Sequence, residues 1–394
     1  MRVGDVIGTA TGFVSANIHS SVSGTVTAVE AALDGANLRK PAVTIAVEGD
    51  EWNPEIDRTD TLVKECTLEP KEIIARIAAA GIVGLGGATF PTQVKLSVPP
   101  GKTAEILIIN GVECEPYLTA DYRLMMERGE ELLVGCEILM QALGVEECAI
   151  GIENNKPEAI KHLKGILAGG SYHKGIRVVP LKMRYPQGGE KQLIAAITRR
   201  EVPSGALPID VGAVVQNVGT TYAVYQAVQK RRPIVDRVVT VTGKGLGRPS
   251  NLLVRIGTPI HLLIEACGGM PEDTGKVING GPMMGRAMAN IEAPVTKGTS
   301  GVLLMSTGES MRGREMPCIQ CAKCVEACPM GLEPYLISKL SRLGIYDRLE
   351  RERTADCIEC GCCAFTCPSN LPLLDYIRLG KAETLKIIRA RQVK

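Results

Sequence analysis

Two copies of one cysteine pattern near the carboxyl end constrain this chain more than any other feature. Cys318-x2-Cys321-x2-Cys324-x3-Cys328-Pro329 is followed by Cys357-x2-Cys360-x2-Cys363-x3-Cys367-Pro368. In runs of this kind three thiolates hold one iron–sulfur cube and the fourth crosses to the other. The spacing therefore predicts two [4Fe–4S] clusters. One takes Cys318, Cys321, Cys324 and Cys367, the other Cys357, Cys360, Cys363 and Cys328. A zinc site uses paired C-x2-C elements and has no need of the fourth Cys-Pro. Disulfides are not expected, because the amino end shows no secretory signal. Cys362 falls outside the spacing and reads as a spare thiol. Cys66, Cys136, Cys148 and Cys267 read as buried small hydrophobes, and only Cys114 is set apart from them. Cubes move single electrons, so the rest of the chain reads as an electron source or destination.

Composition narrows the classes. The 394 residues allow a large core and, as a prior, about two to four domains. A net charge of +2 leaves no footprint for nucleic acid. Three Phe and one Trp give no platform for stacking bases. The longest apolar candidate, Ile77 to Phe90, is broken by glycine, so no direct membrane span is expected. These features predict a cytoplasmic protein that meets a membrane through partners.

The chain reads as an α/β multidomain protein. Residues 1–51 show short alternating strands with Gly turns: Val3 to Gly8, Phe13 to Ala16, Ile18 to Val26 and Val43 to Val47. Ser23-Gly24-Thr25-Val26 resembles the barrel-sandwich hybrids of biotinyl and lipoyl carriers, but no lysine stands at the turn, so a structural module is expected. His19 there reads as a structural histidine. Residues 66–232 alternate strand and helix, which predicts a mostly parallel sheet with ligands at the carboxyl ends of its strands. Helices are expected over Lys71 to Ala80, Asp121 to Leu143, Lys156 to Leu167, Gln192 to Arg199 and Tyr222 to Gln229. Strands are expected at Glu105 to Asn110, Cys148 to Ile152 and Ile176 to Leu181. Residues 236–290 read as a ββαβ unit in β-grasp order. Residues 310–375 form the α-helical, twin-cluster ferredoxin-type domain, and 376–394 a basic helix. Arg378, Lys381, Lys386, Arg389, Arg391 and Lys394 of that helix suit a partner, an anionic lipid or plain solvent.

Four turns in the α/β segment carry chemistry. Gly81-Ile-Val-Gly84-Leu-Gly86-Gly87-Ala-Thr-Phe90-Pro-Thr-Gln-Val-Lys95 offers close backbone approach to a phosphate and one point charge. It lacks the dinucleotide and P-loop spacings. Asn110-Gly-Val-Glu113-Cys-Glu115 ends a strand, where amide and acidic groups accept ribose hydroxyls or a carboxamide. Tyr185-Pro-Gln-Gly188-Gly-Glu190-Lys is a strand-to-helix turn. Gln216-Asn217-Val-Gly-Thr220 opens a helix whose amino end suits an anion, or serves as its cap. No Ser-His-Asp or Cys-His arrangement stands out, so no catalytic side chain is expected.

The order of these motifs resembles two known families. Gly84-x-Gly-Gly-Ala-x-Phe-Pro-Thr-x-x-Lys95, with the turns at Asn110, Tyr185 and Asn217, is similar to the NADH-binding flavoprotein subunit of respiratory complex I. Val112 and Gly189 stand where that subunit has acids, and Gln216 where it has Asn. The succession of barrel-sandwich hybrid, flavin domain, β-grasp and twin clusters, with Gly280-Gly-Pro-Met-Met-Gly285, resembles the C subunit of the Rnf (Rsx) ion-translocating electron transport complex over nearly the whole chain. That family usually has a further amino-terminal stretch, so the first module is expected to be incomplete.

The resemblance implies FMN on Gly84, Gly86, Gly87, Lys95 and Asn110, with Asn217 and Thr220 toward its phosphate. It implies that Phe90, Glu115 and Glu190 face NADH, with Glu113, Tyr185 and Gly188 in the same pocket. It further implies an NADH-oxidising input subunit of an ion-translocating NADH:ferredoxin oxidoreductase, passing electrons through FMN and the clusters. The partners would be the other subunits of the complex, notably a ferredoxin-type iron–sulfur subunit, on the cytoplasmic side of the bacterial inner membrane. The alternatives are a soluble NADH-fed electron-transfer protein and a ferredoxin-like adaptor without catalysis.

Overall fold

The first fifty residues form antiparallel β structure. β1 (Val6–Gly8) pairs with β2 (Ile18–His19), and β3 (Gly24–Leu33) with β4 (Arg39–Val47). Asp34 Oδ1 closes the β3–β4 turn by accepting the N–H groups of Ala36 and Leu38, both at 2.9 Å. The expected strand Phe13 to Ala16 does not form. Asn17 Oδ1 takes the Ala10 N–H at 2.9 Å and Ser15 Oγ the Thr11 N–H, so these side chains close residues 10–17 into a loop instead. Phe13 and Val14 are exposed. The structure, a computed structural model, describes residues 1–392.

The next segment gives α1 (Pro70–Ala79), α2 (Thr92–Leu96), β5 (Ile106–Asn110), α3 (Ala120–Glu127), α4 (Gly129–Leu143), β6 (Glu147–Glu153), α5 (Pro157–Ala168), β7 (Ile176–Leu181), α6 (Glu190–Thr198), β8 (Ala213–Asn217) and α7 (Val218–Gln229). The four strands form one all-parallel sheet in the order β7-β6-β5-β8. Leu107, Ile109, Cys148 and Ile150 lie in the core with the apolar faces of α1, α4 and α7. Cys136 and Cys148 are buried there as free thiols joined by a hydrogen bond. The helix expected over Asp121 to Leu143 is broken. Arg128, at φ −132°, leaves helical geometry, and Gly129 starts α4 with Glu130 and Glu131 in its first turn, where the helix dipole favours acids. β8 has no counterpart among the expected strands.

β9 (Asp236–Thr242), β10 (Ser250–Arg255), α8 (Ile260–Ala266), β11 (Thr274–Asn279), β12 (Arg286–Ala287) and β13 (Gly301–Ser306) build a five-stranded sheet in the order β10-β9-β13-β11-β12. β13 lies parallel to β9 at its centre, so the sheet draws in residues beyond the 236–290 segment. Contacts divide the chain into two compact units. The first holds Met1–Val202, Pro208–Gly281 and Arg286–Thr307; the second holds Pro203–Leu207, Pro282–Gly285 and the chain from Gly308.

α9 (Thr307–Ser310) leads into α10 (Lys323–Glu326), α11 (Pro334–Arg342), α12 (Tyr346–Arg351), α13 (Cys362–Phe365) and α14 (Leu373–Gln392). Leu332, Ile337, Leu340, Leu349, Leu373 and Ile377 form the core of this helical unit. The basic helix turns Arg378 and Lys381 inward and leaves Lys386 and Arg391 exposed. Arg378 and Lys381 pair with Glu359 at 3.1 Å each, Lys386 with Glu383, and Arg391 with Glu350. Lys394 lies outside the described residues. Among the described residues no helix is long and apolar enough to cross a membrane.

Gly135 sets the α4–α7 crossing, since a Cβ there would stand 2.4 Å from Thr221 O. Gly135→Ala is expected to cost about 1–3 kcal/mol by forcing the helices apart, read as a lower urea midpoint.

Candidate functional site

In the sheet order β7-β6-β5-β8, the chain runs outward from β5 in one direction and then returns to its other side. Such a reversal opens a crevice at the carboxyl ends of the two strands that flank it, β5 and β8. Here those ends are Asn110 and Asn217, which face each other in register. All four chemistry-bearing turns meet at this edge. Asn110 Nδ2 donates to Gly188 O at 2.8 Å. Asn217 Oδ1 accepts the Thr220 N–H at 3.3 Å as the cap of α7, and its Nδ2 donates to Asp121 Oδ2 at 2.6 Å. Thr220 Oγ1 accepts the Leu85 N–H at 2.8 Å and donates to Val83 O, tying the glycine loop to α7. Lys95 Nζ reaches Glu190 Oε1 at 2.6 Å and Val215 O at 3.1 Å.

The glycine loop fits a close-lying planar group with a phosphate. A Cβ on Gly86 would touch Asn217 Nδ2 at 3.4 Å, while one on Gly87, at φ +122°, would meet nothing within 4 Å. The Gly84 N–H bonds Phe90 O at 2.9 Å, which holds the turn. The Lys95 amine, the amino end of α7 and loop N–H groups supply donors of the kind phosphates take.

Beside this edge lies a solvent-open cavity whose wall includes Glu113, Cys114, Glu115, Tyr117, Tyr122, Lys156, Arg184 and Tyr185. Phe90 and Glu190 are not in that wall. Glu113 accepts the N–H groups of Asp121 and Tyr122 at 2.8 and 3.0 Å, capping α3. Burial, and then the Asp121 carboxylate, push Glu113 up to about 8. Burial likewise raises Asp121. Lys156 Nζ donates to Val112 O at 2.9 Å. Burial pushes the Cys114 thiol up to about 11, and its sulfur would lie 3.0 Å from a Cβ on Gly188. Asp121, Lys156 and Arg237 are absent from the expected site residues. Lys156 had a signal in its position just past the end of β6; Arg237 had one only as a charge beside Asp236 at the start of an otherwise uncharged strand.

His19 is buried, yet among the described residues its Nδ1 finds no hydrogen-bond partner, so it is less satisfied than a structural histidine should be. Burial and the Lys297 charge lower its pKa to about 4.

The two cysteine runs take the same backbone path. Gln320 and Ala322 in the first run have φ of 57° and 59°; Glu359 and Gly361, at the matching places in the second, have 57° and 80°. Three of the four are not glycine, and a side chain adopts this region only when its surroundings demand it. Cys328 lines one apolar hollow together with Cys357, Cys360 and Cys363. Burial first, then the Cys357, Cys360 and Cys328 thiols, push Cys363 up to about 12. Burial also raises Cys324, and there the neighbouring thiols are Cys367 and Cys318. Cys328 thus lies with the thiols of the second run, and Cys367 lies near Cys318 and Cys324 of the first. Iron would take them as thiolates, offsetting the burial that keeps them protonated. Among the described residues no three such side chains close around a single ion; a cube instead takes each thiolate on a separate iron. Cys362 borders the second set in the same hollow.

Known proteins match this arrangement. The Nuo51 FMN-binding domain model matches residues 77–226 and the 4Fe-4S dicluster domain model residues 311–370. The RnfC barrel sandwich hybrid domain model matches residues 1–51 and the SLBB domain model residues 238–287. The chain is 46% identical over 385 residues to the C subunit of the proton-translocating ferredoxin:NAD(+) oxidoreductase complex of Clostridium ljungdahlii, covering 97% of this chain and 83% of that one. It belongs to the family of C subunits of the Rnf ion-translocating oxidoreductase complexes. Another member, the C subunit of the Na(+)-translocating ferredoxin:NAD(+) oxidoreductase complex of Acetobacterium woodii, is 44% identical over 97% of this chain and 85% of its own. The C subunit of the ion-translocating oxidoreductase complex of Rhodobacter capsulatus is 44% identical over 96% and 73%. The fold is also that of a chain of NAD+-reducing [NiFe]-hydrogenase in the H2-reduced state, with a TM-score of 0.55 at 18% identity, covering 80% of this chain and 61% of that one. The family models make FMN and [4Fe–4S] clusters the cofactors of this Rnf C subunit.

Two outcomes test the site. Thr220→Val orphans the buried Leu85 N–H and is expected to cost about 1–3 kcal/mol, read by urea denaturation. Glu113 titrates near 8 in the fold against 4.5 when free. The native state therefore holds more protons across that window, and stability falls as pH rises through it. Glu113→Gln should reduce that slope in urea midpoints measured across the window; an unchanged slope assigns the proton elsewhere.

Proposed function

We propose that the chain is the NADH-oxidising electron-input subunit of an ion-translocating NADH:ferredoxin oxidoreductase, delivering electrons through FMN and two [4Fe–4S] clusters to partner subunits. The observation that carries this reading is the meeting of four separate turns at the sheet's reversal, in a chain where Cys328 of the first cysteine run shares a hollow with Cys357, Cys360 and Cys363 of the second. Bound FMN takes two electrons from a hydride donor and yields them singly, which joins NADH to one-electron carriers. The residues of the chain bind and orient. Gly84, Gly86, Gly87 and Asn110 give the close surface for FMN, and Lys95, Asn217 and Thr220 its phosphate side. Glu113, Glu115, Tyr185, Gly188, Glu190 and Phe90 face the nucleotide. Cys318, Cys321, Cys324 and Cys367 hold one cube, and Cys357, Cys360, Cys363 and Cys328 the other. No side chain acts as acid or base on the hydride. The similarity to named subunits of ferredoxin:NAD(+) oxidoreductase complexes supports a place in a membrane complex; the reading puts the chain at its cytoplasmic side, next to a ferredoxin-type subunit.

Anaerobic reconstitution with iron, sulfide and FMN tests the reading. About eight irons per chain are expected, and NADH should bleach the flavin and bring up cluster EPR signals. Flavin that is retained but not reduced by NADH would sink it. Cys367→Ala should damage the cube seeded by the first run, and Cys328→Ala the one seeded by the second, read as lost iron and sulfide.

A further inference from the structure

The β-grasp-like sheet places a buried cation behind the glycine loop. Arg237, near the start of β9, is 8% exposed. Its Nη2 donates to Leu85 O at 3.1 Å, its Nη1 to Lys297 O, and its Nε to Val238 O at 3.3 Å. Asp121 is the opposite charge that acts on it, and Asp121 in turn holds Asn217. Gly298, next to Lys297, abuts the same loop: a Cβ there would stand 2.9 Å from Thr89 Cγ2 and 3.6 Å from Gly87 O.

Leu85 is therefore pinned at both of its backbone polar groups. Thr220, from the flavin domain, takes its N–H, and Arg237, from the β-grasp sheet, holds its carbonyl. The C=O and N–H of a trans peptide point in opposite directions. Holding Leu85 O on Arg237 thus directs the Gly86 N–H away from the β-grasp sheet.

We propose that Arg237 is a positioning residue of the flavin site, which makes the β-grasp module a structural part of that site. It fixes the peptide plane between Leu85 and Gly86, so that the loop presents its donor to FMN already oriented. The inference rests on the proposed FMN function.

Flavin fluorescence titration of the full chain tests it, with wild type, Arg237→Met, Arg237→Lys and Arg255→Met compared. Arg255 ties the same module to Ser21 O and Asp50, away from the loop, and serves as the control for module docking. Arg237→Met should raise the FMN dissociation constant about tenfold, the worth of one charge-assisted hydrogen bond. Arg237→Lys, which keeps the charge with fewer donors, should recover part of that loss. Arg255→Met should lower the melting temperature and leave FMN affinity at the wild-type value. The midpoint potential of bound flavin should fall in Arg237→Met and hold in Arg237→Lys, a shift that mere loosening does not give. Wild-type affinity in Arg237→Met overturns the inference, as does a loss in Arg255→Met matching that in Arg237→Met. Failure of the wild-type chain to bind FMN instead overturns the proposed function and this inference with it.

Discussion

The pairing of β5 with β8 is the contact on which the rest of the flavin domain depends. It joins strands separated by more than a hundred positions of chain and fixes Asn110 opposite Asn217. A shift in that register would move both amides off the sheet's edge and with them the caps and turns they hold. Thr220 reaches the glycine loop only because α7 starts directly after β8, and Asn110 reaches Gly188 only because β5 ends level with it. The burial of Leu107, Ile109 and Val214 makes that register costly to change.

Features set by local spacing were legible in the sequence. The cysteine runs declared a two-cluster segment through their repeated C-x2-C-x2-C-x3-C spacing, and the 4Fe-4S dicluster domain model matches there. α1, α5 and β5 to β7 followed from apolar periodicity and Pro or Gly punctuation. Features set by distant partners were not. β8 is five residues ending in Gln-Asn, and its strand character comes from β5 beside it. The break at Arg128 lies inside a helical pattern and is fixed by how Gly129 packs near Leu163 and Ile166. The turns that gather the site were each visible as turns, yet nothing in them said that Lys95 meets Glu190, or that Asp121 lies beneath Asn217. Arg237 sits in a strand that reads as core, and its partners, Leu85 and Lys297, stand far from it in sequence on either side.

The helical unit shows how a repeated backbone acquires different surroundings. At the place where the first run carries the neutral Gln320, the second carries Glu359, clasped by Arg378 and Lys381 of α14. Lys381 also bonds the carbonyl of Cys357 at 2.7 Å. The last helix thus braces the second run through Arg378 and Lys381, while its later cations Lys386 and Arg391 stay exposed.

Cys318 and Cys321 are exposed, whereas Cys360 and Cys363 are buried. Oxidants and chelators in solution therefore meet the first set before the second. Cys328 belongs to the first run yet stands in the hollow of the second, so the two runs are not shielded from one another. An attack that starts at the exposed thiols therefore has a route inward along the first run itself, through Cys328.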